Sequence, residues 1–149
     1  MPDGYYLKSH RYKTRAILAL ASTSTRTSCV DELFARNDPN GILQMSVRSI
    51  DAISRNGMRY ATTHSLVRPL SKNVYLVEFK SKSTAWRMAA YLHEGRQQGH
   101  PRVIPVLLEH FKGHGGKRGT IPKGKIEALE AKALIAKSLV EKEISNDNL

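Results

Sequence analysis

Apolar residues cluster in three short runs in the second half of the chain, each bounded by polar or glycine-containing segments. The runs cover residues 74–80, 84–92 and 102–111 and are rich in aliphatic, β-branched and aromatic side chains. Runs of this length and composition are typical of β-strands. They predict a small antiparallel sheet, and the apolar run at residues 14–21 predicts a further, largely buried strand.

Two helices are predicted between that first strand and the three central runs. Thr27 or Ser28 is a suitable N-cap for the first, because two carboxylates follow where the helix dipole favours negative charge. After an Asp-Pro-Asn-Gly break, an apolar stripe predicts a second helix over residues 41–56, closed by an Asn-Gly C-cap. Residues 58–71 are predicted to be a loop. The two helices would form a hairpin on one face of the sheet; the less favoured alternative is a helix-turn-helix reader of DNA.

A last helix is predicted from the segment Thr120-Ile121-Pro122 to about residue 144, because proline is tolerated in a first helical turn. Its packing stripe comprises Ile126, Leu129, Ala133, Ala136 and Val140. The chain is therefore predicted to be a single α+β domain with mobile ends at residues 1–10 and 145–149.

The net charge of the chain says more about its function than its length or its hydrophobic content does. The net charge is +11 over 149 residues, which indicates a polyanionic partner, either nucleic acid or a membrane surface. No apolar run approaches the length of a membrane span. The only cysteine, Cys29, excludes an internal disulfide and a cysteine-based zinc site. We expect a cytoplasmic protein.

The positive charge is concentrated in and around the three central runs. From Glu78 to Lys125 there are ten Lys or Arg and three Glu. In the run at residues 84–92, Trp86 and Met88 alternate with Arg87 and Tyr91, which predicts a half-buried strand with a polar face. Several cations beside a tyrosine suit a phosphodiester backbone and an unstacked base.

Catalysis on this face would depend on cations. No pair of carboxylates suggests an acid–base dyad, and no carboxylate or cysteine completes a metal site with His110 and His114. Arg or Lys could instead stabilise a phosphorane-like transition state, the 2′-OH of RNA being the nucleophile. Tyr91, His93 or His114 could transfer protons. The structural alternative for Arg87 is an ion pair with a neighbour such as Glu78.

An ordered set of short segments resembles the RelE/HigB/ParE superfamily of toxins, most closely its phage-derived HigB-like branch. The matching segments are a serine-containing turn and helix at residues 24–34, the helix that ends at Gly57, the strand at residues 70–79, Ala85-Trp86-Arg87-Met88, the apolar strand and its polar end at residues 106–112, and the helix entry at residues 117–122.

The resemblance implies a RelE-like fold, in which a small curved antiparallel sheet packs against an N-terminal helical hairpin and a C-terminal helix. It implies a cofactor-independent toxin that cleaves mRNA, usually on the ribosome, and that a cognate antitoxin protein neutralises. The catalytic residues that we carry over to this chain are Arg87, Lys80, Lys82, Tyr91 and Arg118. The RNA-binding residues are Lys112, Lys117, His110, His114 and Arg102.

Two alternatives remain open. One is a ParE-like inhibitor of gyrase on the same fold, which would stall supercoiling without cutting RNA. The other is a non-catalytic nucleic-acid-binding protein of phage or plasmid origin, which would show strongly salt-dependent binding and no cleavage.

Overall fold

A computed structural model of the chain describes residues 4–12, 15–35, 42–81, 84–97, 100–112 and 121–145. Within them it contains six strands and three helices: β1 (Tyr5–Tyr12), β2 (Arg15–Ser22), α1 (Cys29–Ala35), α2 (Ile42–Thr63), β3 (Val67–Ser71), β4 (Val74–Ser81), β5 (Thr84–Gln97), β6 (His100–Lys112) and α3 (Lys123–Ser145). The α+β class is as predicted.

The strands form one open sheet in the order β1-β2-β6-β5-β4-β3. The pairs β1–β2, β3–β4, β4–β5 and β5–β6 are antiparallel, but β2 and β6 run parallel. The antiparallel pairing predicted for the three central runs is confirmed in β4, β5 and β6, but the sheet as a whole has six strands and is mixed, so the prediction of a small, wholly antiparallel sheet is wrong. A parallel pair needs a crossover connection, and here α1, α2 and three strands lie between the two partners. An apolar run does not reveal the direction of its neighbour.

Helices cover both faces of this sheet. The face under α1 and α2, called here the α2 face, buries Val30, Val47, Ile50, Ile53 and Ala61 against the strands. The opposite face, called the α3 face, buries Leu129, Ala133, Ala136 and Val140. The predicted stripe of the last helix is confirmed at these four positions, whereas Ile126 is only partly buried. Because both faces are covered, side chains that alternate along a central strand enter two separate cores.

The start of α1 confirms one of the two predicted N-caps. The Ser28 Oγ accepts a hydrogen bond from the backbone N–H of Val30 at 3.1 Å, and the Asp31 carboxylate accepts one from the N–H of Ser28 at 2.8 Å. This reciprocal arrangement is a capping box with Asp in the position usually held by Glu or Gln.

The second helix does not end where the sequence predicted. Gly57 departs from helical geometry, with φ 85° and ψ 173°, but helical structure resumes after it and continues to Thr63. The loop predicted over residues 58–71 is wrong, because it contains this second part of α2 and the edge strand β3. Packing explains the difference: Met58 contacts the core on the α2 face and Ala61 is fully buried there, so tertiary contacts restore the helix after the break.

Two strands also extend beyond their predicted limits. The mobile end expected over residues 1–10 contains most of β1, whose Tyr5 and Leu7 pack on the core of the α3 face. Tyr6 stands between these two positions and the polar run Lys8-Ser9-His10-Arg11 follows them, so the segment shows no clear period-two apolar pattern. Strand β5 continues to Gln97 and pairs with β6 beyond the apolar run. Its polar end has exposed residues such as Glu94 and Gly95, which leave no apolar signature.

The kink at Gly57 has a testable energetic signature. Its backbone conformation is essentially restricted to glycine and costs other residues about 1–3 kcal/mol, so Gly57→Ala should destabilise the protein by that amount in urea unfolding. Gly124→Ala is the matched control: it lies in α3 and an added Cβ would have no atom within 4 Å. The control should be neutral or stabilising by up to about 1 kcal/mol. Equal unfolding midpoints for the two variants would contradict the interpretation of the kink.

Candidate nucleic-acid interface

Three of the predicted cationic residues lie at the same end of three neighbouring strands. In the backbone register, Lys80 of β4 pairs with Ala85, and Lys112 of β6 pairs with Trp86 on the other side of β5. Arg87 follows directly in β5. Adjacent strands are only about 4.8 Å apart, so the register brings Lys80, Arg87 and Lys112 to one end of the sheet. By alternation Lys80 is on the same face as Arg87, whereas Lys112, which pairs with Trp86, is on the α2 face. We call this end of the sheet the cationic end.

Arg87 is held by an acidic partner on the next strand. Its Nε donates to Glu78 Oε2 at 3.1 Å, and Arg68 Nε of β3 donates to the other oxygen, Oε1, at 2.7 Å. Glu78 thus accepts a hydrogen bond from each arginine. The hydrogen bond from Arg68 is the main cause that lowers the pKa of Glu78, although burial opposes it. The three side chains together carry one net positive charge.

The ion pair keeps Arg87 close to the sheet. The residue is only 8% exposed, whereas Arg68 and Glu78 are exposed. Because Ala89 and Tyr91 of the same strand enter the core of the α3 face, alternation places Arg87 on that face too. The structural alternative foreseen for Arg87, a pair with Glu78, is what the structure shows. A guanidinium carries five N–H donors, so this pair does not by itself saturate it.

Arg68 was not among the predicted site residues. It lies in β3, which the sequence pattern did not indicate, because Val67-Arg68-Pro69-Leu70 contains a proline that argues against a central strand. The proline is compatible with β3 because β3 forms the edge of the sheet. Val67 and Leu70 are three residues apart, which does not match the period of two of a strand, so the segment carried no clear signal.

Tyr91 lies in the core under α3 and not on an open polar face. It is 5% exposed, and burial raises its pKa to about 12. Its hydroxyl is hydrogen-bonded to His93 Nδ1 at 2.8 Å. The sequence therefore predicted correctly that Arg87 and Tyr91 share one face of β5. At the position of Tyr91, however, a helix covers this face.

His110 is on the other face of the sheet from Arg87. Its Nε2 lies 3.1 Å from Ser46 Oγ of α2. A β-bulge accounts for this: Ala89 pairs with Glu109 but Ala90 pairs with Leu107, which leaves Leu108 as the extra residue of β6. Beyond the bulge, Glu109 forms an ion pair with Lys125 of α3, so the next residue, His110, faces α2.

The surroundings of His110 favour its neutral form. Burial lowers its pKa to about 4. Among the residues that the structure describes, its Nδ1 has no hydrogen-bond partner, and the same holds for the indole Nε1 of Trp86. A neutral, enclosed imidazole is poorly suited to contact a phosphate directly.

The remaining predicted residues are distributed as follows. Arg102 pairs with Gly95 near the tip of the β5–β6 hairpin, far along β6 from Lys112. Lys82, His114, Lys117 and Arg118 lie outside the described residues. The described part of the chain thus brings Lys80 and Arg87 together on one face, with Lys112 at the same end of the sheet but on the other face, and it places His110, Tyr91 and Arg102 elsewhere.

Two further predictions concern ligands and membranes. Within residues 4–145, as far as the structure describes them, no three His, Cys, Asp or Glu side chains are close enough to hold a metal ion. In the same parts of the chain, no helix combines the length and the apolar character required to span a bilayer.

Cys29 is half-buried, and burial raises its pKa to about 12, which keeps the thiol protonated.

Comparison of the chain with models of protein families, with curated proteins and with solved structures finds no match in any of the three. The resemblance to RelE-like toxins therefore remains a prediction, supported by the order of short sequence segments.

The buried imidazole of His110 predicts an acid-sensitive fold. Its pKa is about 4 in the folded protein and about 6.5 when unfolded, so the unfolded state binds more protons between these values. Stability is then complete above about pH 6.5 and decreases as the pH falls towards 4, by about 3 kcal/mol in total. Urea unfolding at pH 7 and pH 4.5 measures the effect.

The variant His110→Gln, which is neutral at every pH, should lose most of this pH dependence. His10, whose pKa burial also lowers, would account for a remaining slope of the same sign. An unchanged pH dependence in His110→Gln would show that His110 is not the responsible group.

Proposed function

We propose that the protein is a RelE-like toxin that cleaves messenger RNA, acts in the cytoplasm and is held inactive by a partner antitoxin protein. The observation that carries the proposal is the register of β4, β5 and β6, which places Lys80, Arg87 and Lys112 across adjacent strands. By alternation Lys80 and Arg87 share one face at this end of the sheet, and two such neighbouring cations suit successive phosphates of an RNA strand; Lys112 lies at the same end but on the other face. The net charge of +11 supports the same class of partner.

In this proposal the RNA supplies its own nucleophile. The 2′-oxygen attacks the adjacent phosphorus, a new O2′–P bond forms, the P–O5′ bond breaks, and the proton of the 2′-OH leaves as the O5′ oxygen gains one. The products are a 2′,3′-cyclic phosphate and a free 5′-OH. Arg87 stabilises the additional negative charge of the transition state, and Lys80 on the adjacent strand holds a neighbouring phosphate.

Glu78 acts as a positioning residue in this scheme. It holds the Nε of Arg87 on the sheet, and Arg68 balances the charge of Glu78 from the opposite side. A cation that is fixed before the substrate arrives needs little reorganisation during the reaction, which is the main advantage of a preorganised site. The arrangement requires Arg87 to contact RNA through a small exposed part of its guanidinium.

The low exposure of Arg87 favours a second candidate, a protein that binds RNA without cleaving it. Arg87 is 8% exposed and already paired. Of the described groups that were expected to transfer protons or to line the site, Tyr91 lies in the core with its hydroxyl hydrogen-bonded to His93, and His110 lies on the other face. The cationic end would then hold phosphates only.

Expression in bacteria separates the two candidates. Wild type should arrest growth and create new 5′ ends within reading frames, and Arg87→Ala should reduce cleavage at least about 100-fold, the usual cost of losing a transition-state donor. Arg87→Lys keeps the charge without the forked geometry and should be intermediate. Arg48→Ala, which removes an exposed arginine of α2, is the charge-matched control and should behave as wild type.

The outcomes are distinct. Cuts that persist unchanged in a folded Arg87→Ala protein would exclude Arg87 from the reaction. Salt-dependent RNA binding without any cuts would favour the non-catalytic candidate. Growth arrest without new 5′ ends would point to another target, such as gyrase.

A further inference from the structure

A concave surface, separate from the cationic end, lies on the α2 face, where α2 is kinked. The groove has a volume of ≈ 500 Å³ and lies between the turn of α2 around Gly57 and the polar end of β5, where Glu94 forms the opposite wall. This volume is within the range of about 300–1,000 Å³ that is common for ligand sites. We call it the kink groove.

The kink groove exists because of the backbone at Gly57. The φ of 85° and ψ of 173° interrupt the regular helix at this point and displace the following turn relative to the preceding one. A conformation so restricted to glycine is found where the surrounding structure enforces it, often at ligand sites. Ser54, one turn before the kink, donates a hydrogen bond to the Val103 carbonyl of β6 at 2.8 Å, which fixes the helix on the sheet beside the groove.

One wall of the groove carries two stacked rings. Tyr60 and His64 lie with ring centroids 4.0 Å apart and their planes inclined by 25°. The His64 Nδ1 donates to the backbone carbonyl of Tyr60 at 3.0 Å, which holds the imidazole in place. Both residues are exposed, Tyr60 to 39%. Two exposed and already ordered rings form a stacking surface for a planar ligand at a low entropic cost.

Charged groups of opposite sign flank these rings. Arg59 is exposed on the helical side, and Glu94 is exposed on the strand side. An ionised carboxylate only accepts hydrogen bonds and has two oxygens. It matches a planar group that presents two adjacent N–H donors, as the N1 and N2 edge of guanine does. Adenine offers an acceptor beside its amine on the same edge, and uracil offers a single N–H between two carbonyls.

We propose that the kink groove binds one unpaired guanine nucleotide of single-stranded RNA. The base stacks on the Tyr60–His64 pair, its N1–H and N2–H donate to Glu94, and Arg59 contacts the phosphate. The inference rests on the proposed function only in taking RNA as the ligand. Glu94 lies seven residues from Arg87 along β5, about 23 Å, and on the opposite face. The kink groove is therefore a separate site that would select sequence at a distance from the cationic end.

Binding of short RNA analogues tests this inference independently of cleavage. The probes are fluorescent 2′-O-methyl octanucleotides, alternating U with G, with A or with C, and all-U. They lack the 2′-OH nucleophile, so they are not cut. In anisotropy titrations of the full chain, the U/G probe should bind at least 10-fold more tightly than the U/A and all-U probes, because only guanine presents two adjacent N–H donors to Glu94, whereas every base can stack.

Two variants assign the effect to the groove. Glu94→Gln should remove the preference for guanine while binding of the all-U probe stays within twofold of wild type. Tyr60→Ala should weaken binding of the U/G probe about 10-fold. Glu127→Gln, on an exposed position of α3 outside the groove, controls for the loss of one negative charge, and urea unfolding confirms that the variants are folded.

Equal affinity for the U/G and U/A probes, a preference for cytosine, or a guanine preference that survives both variants would overturn the proposal, as would failure of every probe to bind. A guanine preference in a protein that does not cleave RNA would support the kink groove and contradict only the nuclease. Cleavage of RNA by a protein that shows no preference for guanine would support the nuclease and contradict the kink groove.

Discussion

The middle of β5 is buried on both sides, and the rest of the structure depends on that constraint. Residues from Met88 to Leu92 are all buried, alternately under α2 and under α3. Two consecutive alanines, Ala89 and Ala90, let the two helical layers approach the strand closely. Arg87 immediately precedes this segment, so its charge lies at the margin of a core. An unpaired charge there would be costly, which explains why Glu78 on the adjacent strand pairs with it.

The bulge at Leu108 determines which groups can act together. In an uninterrupted strand, side chains beyond this residue would point to the opposite faces, and the imidazole of His110 would share a face with Arg87. The extra residue turns it towards α2 and turns Glu109 towards α3. One inserted residue thus separates the imidazole of His110 from Arg87, turns Lys112 to the same face as His110, and leaves the imidazole packed under α2.

Sequence patterns predicted an element correctly where the burial of its residues itself produces the pattern of apolar positions. The central strands and the stripe of α3 were recognisable because their apolar residues recur at the period of the element, and the Ser28 cap is a local signal. Strand β3, the direction of β2 beside β6, and the helix after Gly57 depend on tertiary contacts that leave no local trace. The same limit applied to the site. The pairing of Arg87 with Glu78 was predictable, because the two residues are cross-strand neighbours. The pairing of Arg68 with Glu78 and the orientation of His110 towards α2 could not be predicted, because both depend on the topology of the sheet.

The parallel contact between β2 and β6 has a consequence for how the chain folds. Strands β3 to β6 follow one another as hairpins and can pair as they are made, and β1 pairs locally with β2. The pair that joins these two units, Leu18 with Val106 and Ala19 with Leu107, links residues far apart in the chain. Contacts of this kind carry a large loop-closure entropy and slow folding. During synthesis the first hairpin must therefore remain with one edge unpaired until β6 has left the ribosome.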